Sequence, residues 1–472
     1  MRTSLIRVYP CPSVVHTIPF LLFSIRYWVA DLLCGDRCGF NYHFGDNMNS
    51  STVILGAGLS GVGAARALPG AVVYEAKDHV GGHAYSHEQG GYHFDEGAHI
   101  CHAKDPEWLA ALMANAGDVV RVAQSRVSNY WHGHWVTYPV QNHLRDLPAA
   151  DRIRALTEIV TAQTAPDRTP RHYEEWCRFQ YGDFLTERFY REYTDKYWRM
   201  AMADMDIDWL AGRLLPSQLE RIIHGAIAPL DEKQSVFSAF HYPARGGFFS
   251  FFRRFYDGVD VRTGFRVSGI GIRDKTIRFA NGQQVSFERC ISTIPLPDLI
   301  RCMDDVPDAI RGDATTLRHT RMLGVNVVVR KPALCPHHWF YIYDPEIEVS
   351  RVKVMSNVLE GRMPPDQTVL QAEIFRRDDE VFDIERLKRA AVADLGRMLG
   401  FDAERDVISV HHVVCSHAYT IPTLGRQAAV DRIRAWLEEN GIVTTGLYGL
   451  WKYVWSDQAY AAGRTAAESI VK

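Results

Sequence analysis

Val53-Ile54-Leu55-Gly56-Ala57-Gly58-Leu59-Ser60-Gly61 is the stretch that decides the fold of this chain. Three apolar residues suited to a buried strand run straight into the pattern G-x-G-x-x-G. Val62-Gly63-Ala64-Ala65-Arg66-Ala67-Leu68 follows, small enough to form a helix lying flat on that strand, and Ala71-Val72-Val73-Tyr74-Glu75 reads as a second strand ending in an acid. A strand–turn–helix–strand unit with a carboxylate about 20 residues beyond the first glycine is a dinucleotide-binding fingerprint. Gly56 allows the tight turn, Gly58 lets the backbone approach a pyrophosphate, and Gly61 lets helix and strand pack closely. The helix start offers unpaired N–H groups and a positive dipole end to phosphate. Glu75 would accept hydrogen bonds from ribose hydroxyls. A bare G-x-G-x-x-G is weak evidence; here it follows a strand, opens a helix and is paired with Glu75.

The 472 residues suffice for two or three lobes with ample core. An apolar content of 47% with 23% charged residues is that of an ordinary soluble globular protein, and a net charge of −3 gives no basic footprint for nucleic acid. The nine cysteines form no C-x-x-C and no zinc spacing, so no metal site is expected; they read as reduced thiols of a cytoplasmic protein. Val14 to Cys34 is apolar but broken by Arg26 and Asp31, too interrupted for a firm transmembrane helix. Residues 1–47 are expected to be a disordered, dispensable leader, with a membrane-surface anchor as the alternative.

Beyond Glu75, Lys77-Asp78-His79-Val80-Gly81-Gly82-His83 carries a second glycine pair. It resembles the continuation found in FAD enzymes related to amine oxidases, protoporphyrinogen oxidases and UDP-galactopyranose mutases. The resemblance implies FAD rather than NAD, with Gly81 and Gly82 carrying the chain past the flavin's phosphates and ribityl chain. Gly97-Ala98-His99 resembles the mutases' G-x-H segment, which implies that His99 lies beside the flavin ring. Asn129 to Asn142 alternates aromatics around Gly133, as a hairpin does. Its exit, Tyr138-Pro139-Val140-Gln141-Asn142, resembles the Y-P-F-Q-N-N element of eukaryotic-type mutases and implies a uridine pocket using Tyr138 and Gln141.

Residues 151–235 are helical in character, with apolar and aromatic residues at helical spacing through Phe184, Phe189, Tyr193 and Tyr197 that read mostly as core. Trp209-Leu210-Ala211-Gly212-Arg213 resembles the W-L-G-x-R segment, whose arginine grips the substrate diphosphate. A planar guanidinium suits that task because it donates two parallel hydrogen bonds. Pro243-Ala244-Arg245-Gly246-Gly247 resembles the loop whose glycines pack near the flavin, and Val267 falls where backbone meets adenine. Asn281-Gly282 is a type I′ hairpin signal. His338 to Pro345 and Val349 to Asn357 read as a hairpin resembling W-x-Y-x-P and Y/F-x-R-x-x-x-x-S-N, which makes Arg351 the second diphosphate arginine and Tyr341 a pocket tyrosine. His417 to Thr423 resembles H-x-Y-P-T-P-T and supplies Tyr419. Gly446 to Gln458, followed by an Ala-rich helix, resembles the closing flavin motif, with Tyr453 toward substrate, Asp457 and Gln458 toward flavin, and Ser456 and Asp457 suited to cap the helix. Three positions depart from the pattern: Leu447 stands in place of an arginine, Asp457 of an asparagine and Thr420 of a proline.

The expected fold is α/β: a Rossmann-like FAD-binding domain with an inserted helical lobe and an antiparallel-sheet substrate domain. The FAD domain would take residues 48–125, 236–300 and 440–472, a hairpin plus helical substrate lobe 126–235, and the sheet-rich substrate domain 301–439. The activity that the resemblance implies is ring contraction and expansion of a UDP-hexose for cell-surface polysaccharide synthesis. Reduced flavin N5 would attack the anomeric carbon while Arg213 and Arg351 hold the departing diphosphate and His99 and the tyrosines position sugar and flavin. NAD(P)H or another reductant would act transiently, and a homo-oligomer is compatible with the chain. Two other readings stay open: an amine-oxidase or protoporphyrinogen-oxidase-like oxidoreductase, which predicts an apolar cavity, and a non-catalytic flavin-binding partner protein.

Overall fold

The structure, a computed structural model, describes residues 52–166, 168–210, 218–230 and 239–471. The expected leader lies outside the described residues. Thr52–Leu55, Val72–Tyr74, Val261–Arg262, Arg289–Ser292 and Ile442–Thr444 form one five-stranded sheet, with Thr52–Leu55 at its centre and every pairing parallel. Short β-branched runs such as Val53-Ile54-Leu55 suit strands covered on both faces. The glycine helix, Leu59–Ala67, lies on this sheet beside the last helix, Ser456–Val471. Glycines bring the two helices into backbone contact. A Cβ on Gly63 would lie 2.2 Å from the Tyr460 carbonyl oxygen, and one on Gly463 would lie 1.9 Å from that of Ser60. The ends of the described chain thus close one unit.

A seven-stranded sheet forms the second body. Its order is Val407–Thr420, His319–Val329, Thr368–Arg377, Arg351–Val354, Trp339–Ile342, Val127–Trp131 and His134–Thr137. The period of two along each strand divides it sharply. Phe340, Val352, Leu370, Ala372 and Val325 pack under Leu387, Ala391 and Leu395 of the helix Ile384–Leu399. Arg351, Lys353, Gln371 and Glu373 alternate with those residues on the other face, where Lys353, Gln371 and Glu373 are buried. Helices Ala149–Thr164, Tyr173–Leu185, Glu192–Tyr197 and Leu219–Ile227 make up the helical lobe. Among the described residues, no helix is long and apolar enough to cross a membrane.

Several local expectations are corrected. The strands within 301–439 pair antiparallel as expected, but the sheet extends beyond them, because Trp339–Ile342 pairs in parallel with Val127–Trp131. The hairpin grouped with the helical lobe is therefore an edge of the large sheet. The boundaries at 300 and 440 cut through a shared core: Ile310 and Ala314 of Asp308–Thr316, and Val430, Ile433 and Leu437 of Arg426–Glu439, pack with Val53, Leu55 and Ile442. The Asn281-Gly282 turn is not type I′, since Gly282 alone of the pair has positive φ, at 83°. Phe279 N–H donates to the Gln283 carbonyl at 2.9 Å, closing a three-residue loop with its glycine in the left-handed position.

Candidate functional site

The glycines of the first turn do different work. Gly56 has φ 95°, and a Cβ there would lie 2.1 Å from Thr293 Oγ1; a Cβ on Gly61 would lie 1.9 Å from the Gly56 carbonyl oxygen. Both are required by the protein's own packing. Gly58 is different, with φ −75° and its nearest neighbour, Gly82 Cα, 3.9 Å from a built Cβ. Its lack of a side chain leaves space, and no side chain caps the helix that it opens. Free leading N–H groups beside an open backbone fit a pyrophosphate. Glu75 is buried at the end of its strand, its Oε2 accepting from Ala57 N–H at 2.7 Å and its Oε1 from Lys77 N–H at 2.8 Å. The carboxylate thereby ties the second strand to the glycine turn. Gly81 and Gly82 pack back onto the same turn, since a Cβ on Gly82 would come within 3.0 Å of Gly58 Cα.

The remaining cofactor positions are placed as follows. Gly247 (φ 68°) presses on Ser86 and Asp95, both 3.1 Å or less from a built Cβ. Val267 opens the strand Val267–Gly271 of a separate three-stranded sheet. Ser456 and Asp457 do not cap the final helix. Ala459 N–H donates to the Trp455 carbonyl at 2.8 Å, which puts the cap at Trp455, and Gln458 Oε1 accepts from Trp455 N–H at 3.0 Å. Asp457 sits in the first turn, where a carboxylate favours the helix dipole.

The polar face of the large sheet meets this cradle. Register places Tyr341 opposite Arg351 and Arg351 opposite Glu373 on three neighbouring strands. Arg351 makes a fork to Glu373, Nε to Oε2 at 2.7 Å and Nη2 to Oε1 at 3.0 Å. Burial works against the guanidinium charge, but Glu373 more than offsets it and holds the arginine well above its ordinary range. Glu373 Oε1 also accepts from Ala98 N–H at 2.6 Å, so the arginine's partner grips the backbone beside His99. Lys353, two residues along the strand, donates to Asp95 Oδ2 at 3.1 Å and to the His99 carbonyl at 2.8 Å. Burial pulls the Lys353 ammonium below its usual range despite Asp95. The same cause lowers His99 to about 4, leaving a neutral imidazole at pH 7 whose buried Nδ1 has no hydrogen-bond partner among the described residues. A buried polar atom without a partner is costly, and a ligand beside His99 would relieve it.

Four of the five expected substrate residues fall on one aromatic belt around Arg351. Tyr138 lies 5.2 Å from Tyr341 between ring centroids, Tyr341 lies 5.5 Å from Tyr193, Tyr193 lies 5.1 Å from Tyr197, Tyr197 lies 5.0 Å from Tyr419, and Tyr419 stacks on Tyr453 at 5.7 Å. Tyr419 hydroxyl accepts from Arg351 Nη2 at 3.4 Å. Gln141 lies behind the belt, accepting from Tyr190 hydroxyl at 3.2 Å. Tyr193 and Tyr197, read as core, do pack against the core cluster of the helical lobe and also join the belt. Their spacing of four on one helix put them on a single face, which was the available signal. Glu373 and Lys353 were missed altogether. The structure thus brings Arg351 and His99 together, while Arg213 lies outside the described residues.

A glycine turn opening a helix on a parallel sheet, with an acid ending the second strand, is the nucleotide-binding unit of an FAD-dependent flavoprotein, and FAD is the cofactor. Gly58, which leaves open space at an uncapped helix start, is the position that fits its pyrophosphate, and Gly56, Gly61, Glu75, Gly81 and Gly82 shape the turn around it. The chain belongs to the family of flavin containing amine oxidoreductases, whose profile matches residues 59–471. It is similar to the crystal structure of reduced UDP-galactopyranose mutase, at 25% identity and a TM-score of 0.81, covering 89% of this chain and 93% of that one. A protein from Exiguobacterium sp. 255-15 described as a protoporphyrinogen oxidase shares the fold, with a TM-score of 0.69, 18% identity and coverage of 89% and 98%. In sequence the chain is 29% identical over 160 residues to chloroplastic protoporphyrinogen oxidase 1 of Arabidopsis thaliana, a match covering 30% of this chain and 29% of that relative.

Proposed function

We propose that the protein is an FAD-dependent isomerase acting on a nucleotide sugar, interconverting ring forms of a UDP-hexose in the manner of UDP-galactopyranose mutase. The observation that carries this reading is Arg351, a buried charged fork in a wall of six tyrosines. An apolar substrate has no use for it; a departing diphosphate does. FAD, held at the turn around Gly58, would in its reduced form supply nucleophilic chemistry, with NAD(P)H or another reductant as the source of electrons. Arg351 stabilises charge developing on the diphosphate. Arg213 is proposed as its second clamp. Tyr138 and Gln141 form the nucleotide-base end, and Tyr341, Tyr419 and Tyr453 line the sugar and phosphate path, enclosing it from water. His99, neutral, can accept a proton or a hydrogen bond at Nδ1. The product class is a furanose donor for cell-surface polysaccharide.

The test is incubation of reduced holoenzyme with a panel of UDP-hexoses, reading ring isomerisation by anion-exchange chromatography. Isomerisation with no net consumption of reductant supports the reading; oxygen consumption with a porphyrinogen or amine and no UDP-sugar binding overturns it. The second reading, a protoporphyrinogen-oxidase-like oxidoreductase, is favoured by the chloroplastic relative, and this assay separates the two.

A further inference from the structure

We propose that His83, Glu96 and Cys415 bind one divalent transition-metal ion, of which zinc is the best-suited. The inference goes beyond the flavin and sugar chemistry and does not rest on it. His83 and Glu96, 13 residues apart, and Cys415, 332 residues beyond His83, present one ligand atom each, all within 4.8 Å of one another. His83 Nδ1 lies 2.9 Å from Glu96 Oε2 and 3.4 Å from Cys415 Sγ. Around a tetrahedral zinc with bonds of about 2.0–2.3 Å, such atoms stand about 3.4–3.6 Å apart. The sulfur is already at that spacing, and the carboxylate oxygen needs to withdraw by about half an ångström. A nitrogen, an oxygen and a sulfur donor together suit zinc rather than calcium or magnesium, which take oxygen.

The surroundings are those of a prepared ligand set. Tyr448 hydroxyl lies 2.6 Å from the His417 carbonyl and 3.2 Å from that of Ala418, acceptors that take its proton, so its oxygen accepts from His83 Nε2–H at 2.8 Å. That bond fixes the ring and leaves Nδ1 as the donor atom, as the outer partner of a metal-bound histidine does. Glu96 is likewise held through its other oxygen, by Lys77 at 2.7 Å and His87 at 3.2 Å. Cys415 Sγ–H donates to the His417 carbonyl at 2.8 Å. Binding exchanges a proton for metal. The Cys415 thiol releases its proton, and the dication is balanced by the Glu96 carboxylate and the Cys415 thiolate, with neutral His83 donating from Nδ1, which leaves a neutral site.

The test is equilibrium dialysis of flavin-loaded, chelator-washed protein against zinc chloride, with metal measured by atomic emission and flavin absorbance as the folding control. Calorimetry in buffers of different ionisation enthalpy counts protons. Expected are one zinc per chain, at least one proton released, and affinity weakened tenfold or more in Cys415→Ala with its flavin retained. Cys335→Ala, elsewhere in the large sheet's core, should bind as wild type. Wild type that stays zinc-free, or Cys415→Ala with undiminished affinity, overturns the proposal. Glu96→Gln is the second variant, and its retention of full affinity would also overturn it.

Discussion

Arg351 has a structural partner as well as a proposed ligand, and the two roles can be separated by experiment. The Arg351 side chain is 15% exposed and that of Glu373 is fully buried. Removing one member of such a pair strands the other, at a cost of about 3–5 kcal/mol. Arg351→Ala should therefore lose about that much stability in urea unfolding, with Glu373 keeping only the Ala98 N–H. That loss by itself says nothing about substrate. The informative protein is the double variant Arg351→Met with Glu373→Gln, which replaces the ion pair by neutral groups of similar volume. Replacement of both partners is often close to neutral, so the double variant should recover to within roughly 1–2 kcal/mol of wild type. Binding should behave oppositely. A charge-assisted contact contributes about 1.5–3 kcal/mol, so UDP-hexose affinity, measured by calorimetry on reduced protein, should fall about tenfold or more in both variants. Flavin absorbance should be unchanged in the double variant. If the double variant regains stability and binds UDP-hexose like wild type, Arg351 serves Glu373 alone and the diphosphate reading fails.

The other expectations are narrower. Gly58→Val should fold and lose flavin, because a Cβ there meets only the open cradle; Gly61→Val should fail to fold, because its Cβ strikes the Gly56 carbonyl. Soluble yield and flavin-to-protein absorbance ratio distinguish them, and full flavin occupancy in Gly58→Val would refute the placement. Tyr197→Phe should keep flavin and stability within about 1 kcal/mol while raising KM for the nucleotide sugar, since it keeps the ring and removes only a hydroxyl at the belt; an unchanged KM would return Tyr197 to the core. His99 is depressed from 6.5 to about 4, so the stability tied to its neutral form is complete above pH 6.5 and is lost as pH falls through 4. Across that window His99→Gln should lose less stability than wild type in acid titrations of urea unfolding, and parallel curves would show that His99 does not carry the effect.

What was legible in the sequence was what is local. Gly56 to Glu75 lies within one βαβ unit, so turn, helix and acid could be read from spacing alone, though spacing did not show that Glu75, expected to face a ribose, folds back onto Ala57. Arg351 was found by its motif, but its partner was not. Glu373 lies 22 residues on, and only the antiparallel register of two strands sets them side by side. Lys353 reaches Asp95 across 258 residues, and Cys415 reaches His83 across 332, distances over which no pattern in the chain points. The boundaries failed for a related reason. The helices Asp308–Thr316 and Arg426–Glu439 present apolar faces that fit either sheet equally well on paper, and only packing shows that they cover the parallel one. The tyrosines of Glu192–Tyr197 pack on the core as their helical spacing implies, and their second contact, with Tyr341 and Tyr419, depends on an opposing surface that spacing does not reveal.

That opposing surface is the strongest argument about chemistry. A sheet face packed inside a protein would ordinarily be apolar, as the other face of this same sheet is. Here Arg351, Lys353, Gln371 and Glu373 occupy the inner positions, and desolvating each has a cost that packing alone would not sustain. The charges are paired in sequence across the strands, Asp95 with Lys353 and Glu373 with Arg351, so that no single ion stands unbalanced. On the belt side, Arg351 Nη2 also reaches the Tyr419 hydroxyl at 3.4 Å, which is the side proposed above to meet an anionic ligand. An oxidoreductase acting on an apolar substrate would gain from replacing these residues with leucine or valine. Keeping them favours a substrate that carries its own charge, and the six tyrosines favour one that also offers hydroxyls to hydrogen-bond.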